Sequence, residues 1–237
     1  MSQNFDLLKQ IEYERDTPPA IPLRGRGDAS RRAPQLHFSS ELMGLARAVF
    51  LADSADTPHD VLLCGVDRES DSSLLCLELG RLLAALSSHS VCLVDGDVHD
   101  SRLSHRIKES RLPIQNDSWR DGCTQIEPNL WIADADSMDP THRGVLAQAD
   151  ALKKKLIELK NAFYFVLINA PGVNERSDAG VLGQIVDATV LVIEANSTRK
   201  AAALRAKKTL LSMNVRLLGT VLNNRTFPIP EELYSKL

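Results

Sequence analysis

From Asp60 onward the sequence alternates short apolar segments with longer amphipathic ones, and this alternation restricts the chain to few folds. Strands without polar alternation are buried on both faces, as in a parallel sheet that helices cover on either side. The sequence therefore predicts an α/β fold with a doubly wound, mainly parallel β-sheet. The predicted strands are residues 61–64, 90–94, 130–133, 164–168, 188–194 and 216–222.

The segments between these strands have the spacing of helices. Predicted helices cover residues 73–86, 143–159, 179–185 and 198–211, and another begins at Ser39 or Ser40 and runs through Phe50. Residues 111–128 contain Pro, Asn, Asp and Gly, and we predict a loop over one edge of the sheet.

The N-terminal region differs in composition. Residues 5–15 have a charged amphipathic helix pattern, and residues 16–34 are rich in Pro, Arg and Gly, which is typical of a flexible basic linker. We therefore predict two parts: an N-terminal helix and linker over residues 1–36, and an α/β domain over residues 37–237.

Composition narrows the function classes. The net charge is −3, so the whole chain lacks the basic signature of a nucleic-acid binder. No nucleic acid is expected as a partner. No apolar run approaches the roughly 20 residues that a membrane helix needs, which predicts a cytoplasmic protein. Four cysteines without C-x-x-C spacing predict buried free thiols; they are Cys64, Cys76, Cys92 and Cys123.

The loop after the first predicted strand has the layout of a phosphate-binding P-loop. Gly65 and Ser72 occupy the outer positions of G-x-x-x-x-G-K-[ST], but Ser70 and Asp71 replace the inner Gly and Lys. A lysine attracts a phosphate group, whereas Asp71 repels it. At about 4 Å and an effective dielectric near 20, this exchange costs up to about 8 kcal/mol of interaction energy. With Arg68 as the only cation in this loop, the sequence predicts a pocket that repels anions. An ordinary polar strand-to-helix loop explains these residues equally well.

Two further polar turns follow predicted strands. Asp95 and Asp97 come directly after the second strand, where open α/β sheets bind ligands and where carboxylates can coordinate Mg²⁺. Asn169 follows the strand at 164–168, at the place where an Asp would complete a Walker B site. Asn keeps the hydrogen bonds of that position without its charge, and it is also a common residue for ending a strand.

In this order and spacing, the three turns resemble those of the deviant Walker ATPases of the MinD/ParA kind. More closely, the chain resembles bacterial tyrosine kinases of capsule and exopolysaccharide assembly (CpsD/CapB type), in their exosortase-associated branch. The resemblance covers nearly the whole chain and implies a P-loop NTPase-like domain with an N-terminal helical extension. Its other signatures are the residues around Phe5, the helix at Glu41, Ser177-Asp178-Ala179, residues 187–192, residues 218–223 and the tail 227–234.

The resemblance also implies ligands and residue roles. ATP or ADP with Mg²⁺ is the implied ligand, with Ser72 and Asp95 at the metal. Asp95 and Asp97 are the implied catalytic carboxylates, and Tyr234 is the implied phosphorylation site. The implied nucleotide-binding residues are Gly65, Ser72, Ser73, Asn169 and Asn223.

The departures from the family pattern lead to the functional prediction. Asp71, Asn169 and a single C-terminal tyrosine remove groups that phosphoryl transfer uses. We predict a degenerate P-loop protein, a pseudokinase that regulates exopolysaccharide polymerisation and export. It would lie at the inner membrane through a membrane-bound chain-length regulator and form homo- or hetero-oligomers with related P-loop proteins. The alternatives are an active ATP-dependent tyrosine autokinase and a ParA/MinD-like positioning ATPase.

Overall fold

The computed structural model of the chain describes residues 39–51, 56–97, 100–110, 123–133 and 145–225. The helices in these ranges are α1 Ser40–Phe50, α2 Ser73–Leu86, α3 Arg102–Glu109, α4 Val145–Ala162, α5 Asp178–Gly183 and α6 Lys200–Ser212. The strands are β1 Asp60–Gly65, β2 Val91–Asp95, β3 Cys123–Glu127, β4 Leu130–Ala133, β5 Phe165–Ala170, β6 Ala188–Glu194 and β7 Leu217–Asn223.

The strands form one seven-stranded sheet in the order β3-β4-β2-β5-β1-β6-β7. Five of the six neighbouring pairs in this sheet run parallel, and β3 is antiparallel to β4. Every residue of β1, β2 and β5 is buried, as expected for strands covered on both faces. The predicted doubly wound, mainly parallel sheet is confirmed.

Alternate residues of the central strands face two separate cores. Leu63 of β1 packs with residues of α1, α2 and α3, whereas its neighbour Leu62 packs with residues of α4, α5 and α6. Strand geometry explains this division because successive side chains point to opposite faces. Helices therefore cover both faces of the sheet. None of the helices in the described ranges is long and apolar enough to cross a bilayer.

Two local predictions can be checked in these ranges. Ser39 is the N-cap of α1, since its hydroxyl accepts the Leu42 N–H at 3.2 Å, and this was one of the two predicted caps. The four cysteines are buried free thiols, as predicted. The N-terminal helix and linker lie outside the described residues, so the proposed division at residue 36 stays a prediction.

The predicted loop over residues 111–128 is wrong at its C-terminal end. Cys123–Glu127 form strand β3, which pairs with β4 through a two-residue turn in which Asn129 has φ 61°. Only Cys123 and Ile126 of this strand are fully buried, so its apolar pattern is too weak to identify locally. Pairing with β4 decides its conformation. Helix α3 was not predicted either, because it buries only Leu103, Ser104 and Ile107.

Candidate functional site

A polar cleft of about 370 Å³ opens at the carboxyl ends of β1, β2 and β5. The strand register brings the three turns together, because Asp95 lies opposite Asn169 and Cys64 lies opposite Ala170. Five carboxylates and three guanidinium groups line the cleft; they belong to Asp67, Asp71, Asp97, Asp100, Glu175, Arg68, Arg102 and Arg176. The cleft lies where open α/β sheets bind ligands.

The loop after β1 turns back on itself and on the turn after β5. A Cβ atom at Gly65 would lie 2.0 Å from the carbonyl oxygen of Ser70, so only glycine fits this close approach. The Val173 N–H donates to the Gly65 carbonyl at 2.9 Å, and the Asn174 N–H donates to the Val66 carbonyl at 3.0 Å. The loop therefore folds back tightly on itself and is hydrogen-bonded to the turn after β5.

Asp71, which stands in the place of the P-loop lysine, turns its carboxylate toward the start of α2. Its Oδ1 accepts the Ser73 N–H at 2.9 Å and the Ser73 hydroxyl at 2.6 Å. Its Oδ2 accepts from the Arg106 guanidinium, which also donates to the Ser73 hydroxyl at 2.7 Å. Burial opposes ionisation, yet the bonds from Ser73 and Arg106 keep the pKa of Asp71 below its usual range. An internal anion is thus bound at the helix N-terminus.

Other backbone donors of the loop also have partners within it. The Ser70 N–H donates to the Asp67 carbonyl at 3.1 Å and to the Asp67 carboxylate at 3.2 Å, and the Ser70 hydroxyl donates to that carboxylate at 2.8 Å. The Asp71 N–H donates to the Glu69 carbonyl at 3.0 Å. In a working P-loop, such N–H groups point at phosphate oxygens. Three of them here, at residues 70, 71 and 73, bind oxygens of the loop itself.

The prediction that Arg68 alone opposes the loop's negative charge is wrong. Helix α3 supplies two more guanidinium groups: Arg106 pairs with Asp71, and Arg102 donates to the Arg68 carbonyl at 2.8 Å. Arg102 also pairs with Asp100 at 2.7 Å. Sequence reasoning missed both residues because it missed α3. Their four-residue spacing, which places both on one side of a helix, is the only local signal for them.

At the wall of the cleft, Asn169 connects the loop after β1 with the turn after β2. Its Oδ1 accepts the Ser72 hydroxyl at 2.8 Å, and its Nδ2 donates to Asp95 Oδ1 at 3.4 Å. The other carboxylate oxygen of Asp95 accepts the Ser104 N–H at 2.9 Å. Burial raises the pKa of Asp95, and the hydrogen bonds from Ser104 and Asn169 partly offset this effect. A neutral amide suits this position, since a second carboxylate would repel Asp95.

The two predicted catalytic carboxylates have different surroundings. Asp97 lines the cleft, and its Oδ1 accepts the Asp100 N–H at 3.2 Å. Asp95 is fully buried and does not line the cleft. Both lie at the end of β2 as predicted, but only Asp97 reaches a position that a ligand in the cleft can contact. Their catalytic roles stay predictions.

The remaining predicted site residues are more dispersed. Ser72 lines the cleft, whereas Ser73 is buried beneath it and bonded to Asp71. Asn223 lies at the end of β7 and donates to Glu194 Oε2 at 3.2 Å, away from the residues that line the cleft. Its role near an adenine ring stays a prediction. Tyr234 lies outside the described residues.

In the arrangement seen in the structure, the described residues do not fit a nucleoside triphosphate with magnesium. The loop has Asp71 at the position of the lysine in the P-loop pattern, and its N–H groups at residues 70, 71 and 73 donate to oxygens of the loop itself. Within the described ranges, no cluster of three His, Cys, Asp or Glu residues has a metal-binding arrangement. The cleft can still bind polar groups through its three guanidinium groups.

The sheet order, the loop after β1 and the turns after β2 and β5 define a P-loop NTPase-like α/β protein. Solved structures support this class: the VpsO kinase domain aligns with a TM-score of 0.59 and 20% identity, covering 78% of this chain and 97% of that domain. MinD from Aquifex aeolicus aligns with a TM-score of 0.53 and 18% identity, over 75% of this chain and 72% of MinD. At these identities, both alignments establish the fold alone.

A sequence relative carries the comparison further. CapB of Staphylococcus aureus, which is named as a tyrosine-protein kinase, is 25% identical over 198 residues, covering 80% of this chain and 86% of CapB. No family model matches the sequence. The predicted resemblance to bacterial tyrosine kinases is confirmed: the chain is similar to them in sequence and has a P-loop fold like that of MinD. Its placement in the exosortase-associated branch stays a prediction.

Proposed function

We propose that this chain is a non-catalytic regulator related to bacterial tyrosine autokinases, and that its P-loop carries its own anion in place of nucleotide phosphate. One observation supports this most directly: the Asp71 carboxylate accepts the Ser73 N–H and hydroxyl and pairs with Arg106. A phosphate group needs the same donors at the start of α2.

The Asp71 carboxylate competes well with a phosphate group because it is covalently part of the loop. A group joined to its site by a short chain segment competes at an effective concentration in the millimolar range or above. A nucleotide must displace Asp71 from Ser73 and Arg106, and its phosphates are then repelled by the displaced carboxylate nearby. Both effects lower nucleotide affinity well below that of a loop with lysine.

The proposed biological role follows from the resemblance. The chain would bind the cytoplasmic face of a membrane-bound polysaccharide chain-length regulator and assemble with itself or with competent related P-loop proteins. In this way it would control exopolysaccharide or capsule polymerisation and export without phosphoryl transfer. The cleft would act as a structural element of the interaction surface.

Thermal unfolding in the presence of nucleotide tests the central part. Only a ligand that prefers the native state raises Tm, and saturation at about 100 times Kd adds about 2.7 kcal/mol. We expect no shift with Mg-ATP or Mg-ADP for the wild type, and a shift for the variant Asp71→Lys with Asn169→Asp. Glu158→Lys, an exposed charge reversal on α4, is the matched control and should not respond.

Two results would contradict the proposal. One is a clear increase in Tm of the wild type at micromolar Mg-ATP. The other is steady phosphate release by the wild type that disappears in Asp97→Ala. Binding of the wild type to the cytoplasmic segments of a chain-length regulator, measured by calorimetry, tests the partner independently of the nucleotide.

An active autokinase is the second candidate, and one observation favours it. Arg68 and Arg102 line the cleft, so cations other than the missing lysine are within reach of a phosphate group there. A phosphotyrosine signal at Tyr234 that appears with Mg-ATP and is lost in Asp97→Ala would support this function. Its absence in the presence of the membrane partner would exclude it.

A further inference from the structure

A segment near the C-terminus has a charge that contrasts with the rest of the chain. Residues 195–225 contain seven Lys and Arg residues and no Asp or Glu, although the whole chain has a net charge of −3. Most of these cations lie on helix α6, which covers one face of β6 at the edge of the sheet. The segment is therefore a local cationic region on an acidic protein.

The solvent-facing side of α6 combines these cations with exposed leucines. Leu204 is 49% exposed and Leu211 is 50% exposed. Their spacing of seven residues is close to two helical turns, so they lie on one line along the helix. The opposite side is held in the core by Ala206 and Leu210, which are fully buried.

Cations flank this line of leucines on both sides. At 100° per residue, Lys200 and Lys207 lie on one side of the two leucines, and Lys208 lies on the other, with Arg205 beyond it. All four cationic side chains are exposed, and none of them forms an ion pair with another described residue. We name the exposed residues Lys200, Leu204, Arg205, Lys207, Lys208 and Leu211 the α6 surface.

This arrangement matches one kind of partner. A lipid bilayer with anionic head groups offers phosphates for the cations and an apolar layer beneath them for the leucines. Nucleic acid matches the cations alone, since the centre of the α6 surface would meet a phosphate backbone with two leucines. The central position of Leu204 and Leu211 therefore distinguishes the two.

We propose that the α6 surface binds directly to an anionic membrane, with Leu204 and Leu211 entering the head-group region between the flanking cations. This contact is separate from the P-loop cleft and from any membrane protein partner. It does not depend on the proposed regulatory function. A membrane contact of this kind would orient the sheet edge formed by β6 and β7 toward the bilayer.

Co-sedimentation of the full chain with vesicles tests the proposal. We expect binding to phosphatidylcholine vesicles that also contain phosphatidylglycerol, little binding to phosphatidylcholine alone, and weaker binding as salt increases. Each cation near an anionic surface contributes roughly five-fold to binding. Lys207→Glu with Lys208→Glu should therefore lower the partition coefficient about 30-fold or more. Leu204→Ser with Leu211→Ser should lower it about ten-fold.

The chain provides a matched control for the charge change. Lys153 and Lys154 form a second pair of adjacent, exposed lysines, on helix α4. Lys153→Glu with Lys154→Glu alters net charge by the same amount and should leave vesicle binding within about two-fold of the wild type, because these residues lie outside the α6 surface. Every substituted side chain is exposed or half-exposed, so Tm should stay unchanged in all three double variants.

A second measurement reports on α6 itself. The four native cysteines are buried, so Ala201→Cys places an accessible thiol beside the leucines that can be labelled with an environment-sensitive dye. Its emission should shift to shorter wavelength with anionic vesicles and stay unchanged with neutral ones.

Three results would overturn the proposal. The first is equal binding to both kinds of vesicle. The second is equal loss of binding in the α4 and α6 charge variants, which would assign the attraction to net charge. Full binding in both variants would equally overturn it, since the basic segment at residues 16–34 would then explain the attraction. The third is binding to duplex DNA that the leucine variant retains, together with no vesicle binding, which would assign the surface to nucleic acid.

Discussion

The two ends of the sheet carry similar groups of charges in different settings. At the amino end, Lys160 Nζ lies 2.7 Å from Asp60 Oδ2 and 3.7 Å from Asp187 Oδ1. The Asp187 N–H donates to Asp60 at 2.9 Å, and the His59 N–H donates to Asp187 at 3.0 Å. Asp60 is 1% exposed, whereas the side chains of its partners Lys160 and Asp187 are 32% and 38% exposed.

At the carboxyl end, Asp71, Arg106 and Ser73 repeat the same chemistry: a carboxylate, a cation and a backbone N–H. The difference lies in the carboxylate: the Asp60 side chain is 2% exposed, whereas the Asp71 side chain is 25% exposed and lines the cleft. In open α/β sheets, ligands bind at the carboxyl ends of the strands. Here the carboxyl end, like the amino end, has a carboxylate that is paired with a cation of the same chain.

The largest expected effect is at Gly65, which lies at the carboxyl end of strand β1. Gly65→Ala places a Cβ atom 2.0 Å from the Ser70 carbonyl oxygen, which is backbone and cannot move without rearranging the loop. We expect a loss of about 3 kcal/mol in the free energy of unfolding, measured by urea denaturation.

Gly44→Ala is the control for this change. A Cβ atom at Gly44 would meet nothing within 4 Å, and the residue lies in helix α1, so alanine should stabilise the protein slightly. If Gly65→Ala unfolds at the same urea concentration as the wild type, the loop does not make the close approach on which the site description depends.

The second-largest expected effect is the pH dependence of stability that Asp60 causes at the amino end of the sheet. Burial and the neighbouring Asp187 raise the pKa of Asp60 to about 6, although Lys160 opposes this. Between about pH 4 and pH 6, the folded state then binds more protons than the unfolded state, so stability falls as pH rises through this window. Relative to Asp60→Asn, the wild type should lose about 2 kcal/mol between pH 4 and pH 6.5.

Urea denaturation at the two pH values measures this difference. Glu158→Gln, which removes an exposed carboxylate on α4, should follow the wild type at both pH values. Parallel pH profiles for the wild type and Asp60→Asn would show that Asp60 is ionised throughout and that the two ends of the sheet are alike in charge state.

The smallest effect is the coupling between Asp71 and Arg106. Because both side chains are partly exposed, we expect the double-mutant cycle of Asp71→Ala and Arg106→Ala to give a coupling of about 1 kcal/mol. Added salt should reduce it. A coupling near zero would mean that the Asp71 carboxylate is not held by Arg106, and the case for a built-in anion would be lost.

Much of the fold could be predicted because apolar runs such as those of β1 and β5 are long, continuous and separated by helical periodicity. Predictions failed where an element has few apolar residues. Strand β3 buries only two residues fully and depends on β4, and α3 is polar apart from its buried side. The candidate site was predicted in the same uneven way. Its three turns were found, but the two arginines of α3 were not.

The sequence by itself determined the class of fold and the place of the cleft, since the strand and helix periods and the polar turns after the strands are local patterns. The order of the strands in the sheet came from the tertiary structure. It also determined that the loop after β1 carries Asp71 where a lysine is expected. Only the tertiary structure decided what this charge does. The loop and α3 are separated by about 30 residues of sequence, and packing brings Arg106 against Asp71. The energy of a charge depends on its neighbours in space, so a carboxylate for which the sequence predicted only Arg68 as an opposing cation is paired with Arg106 and hydrogen-bonded to Ser73.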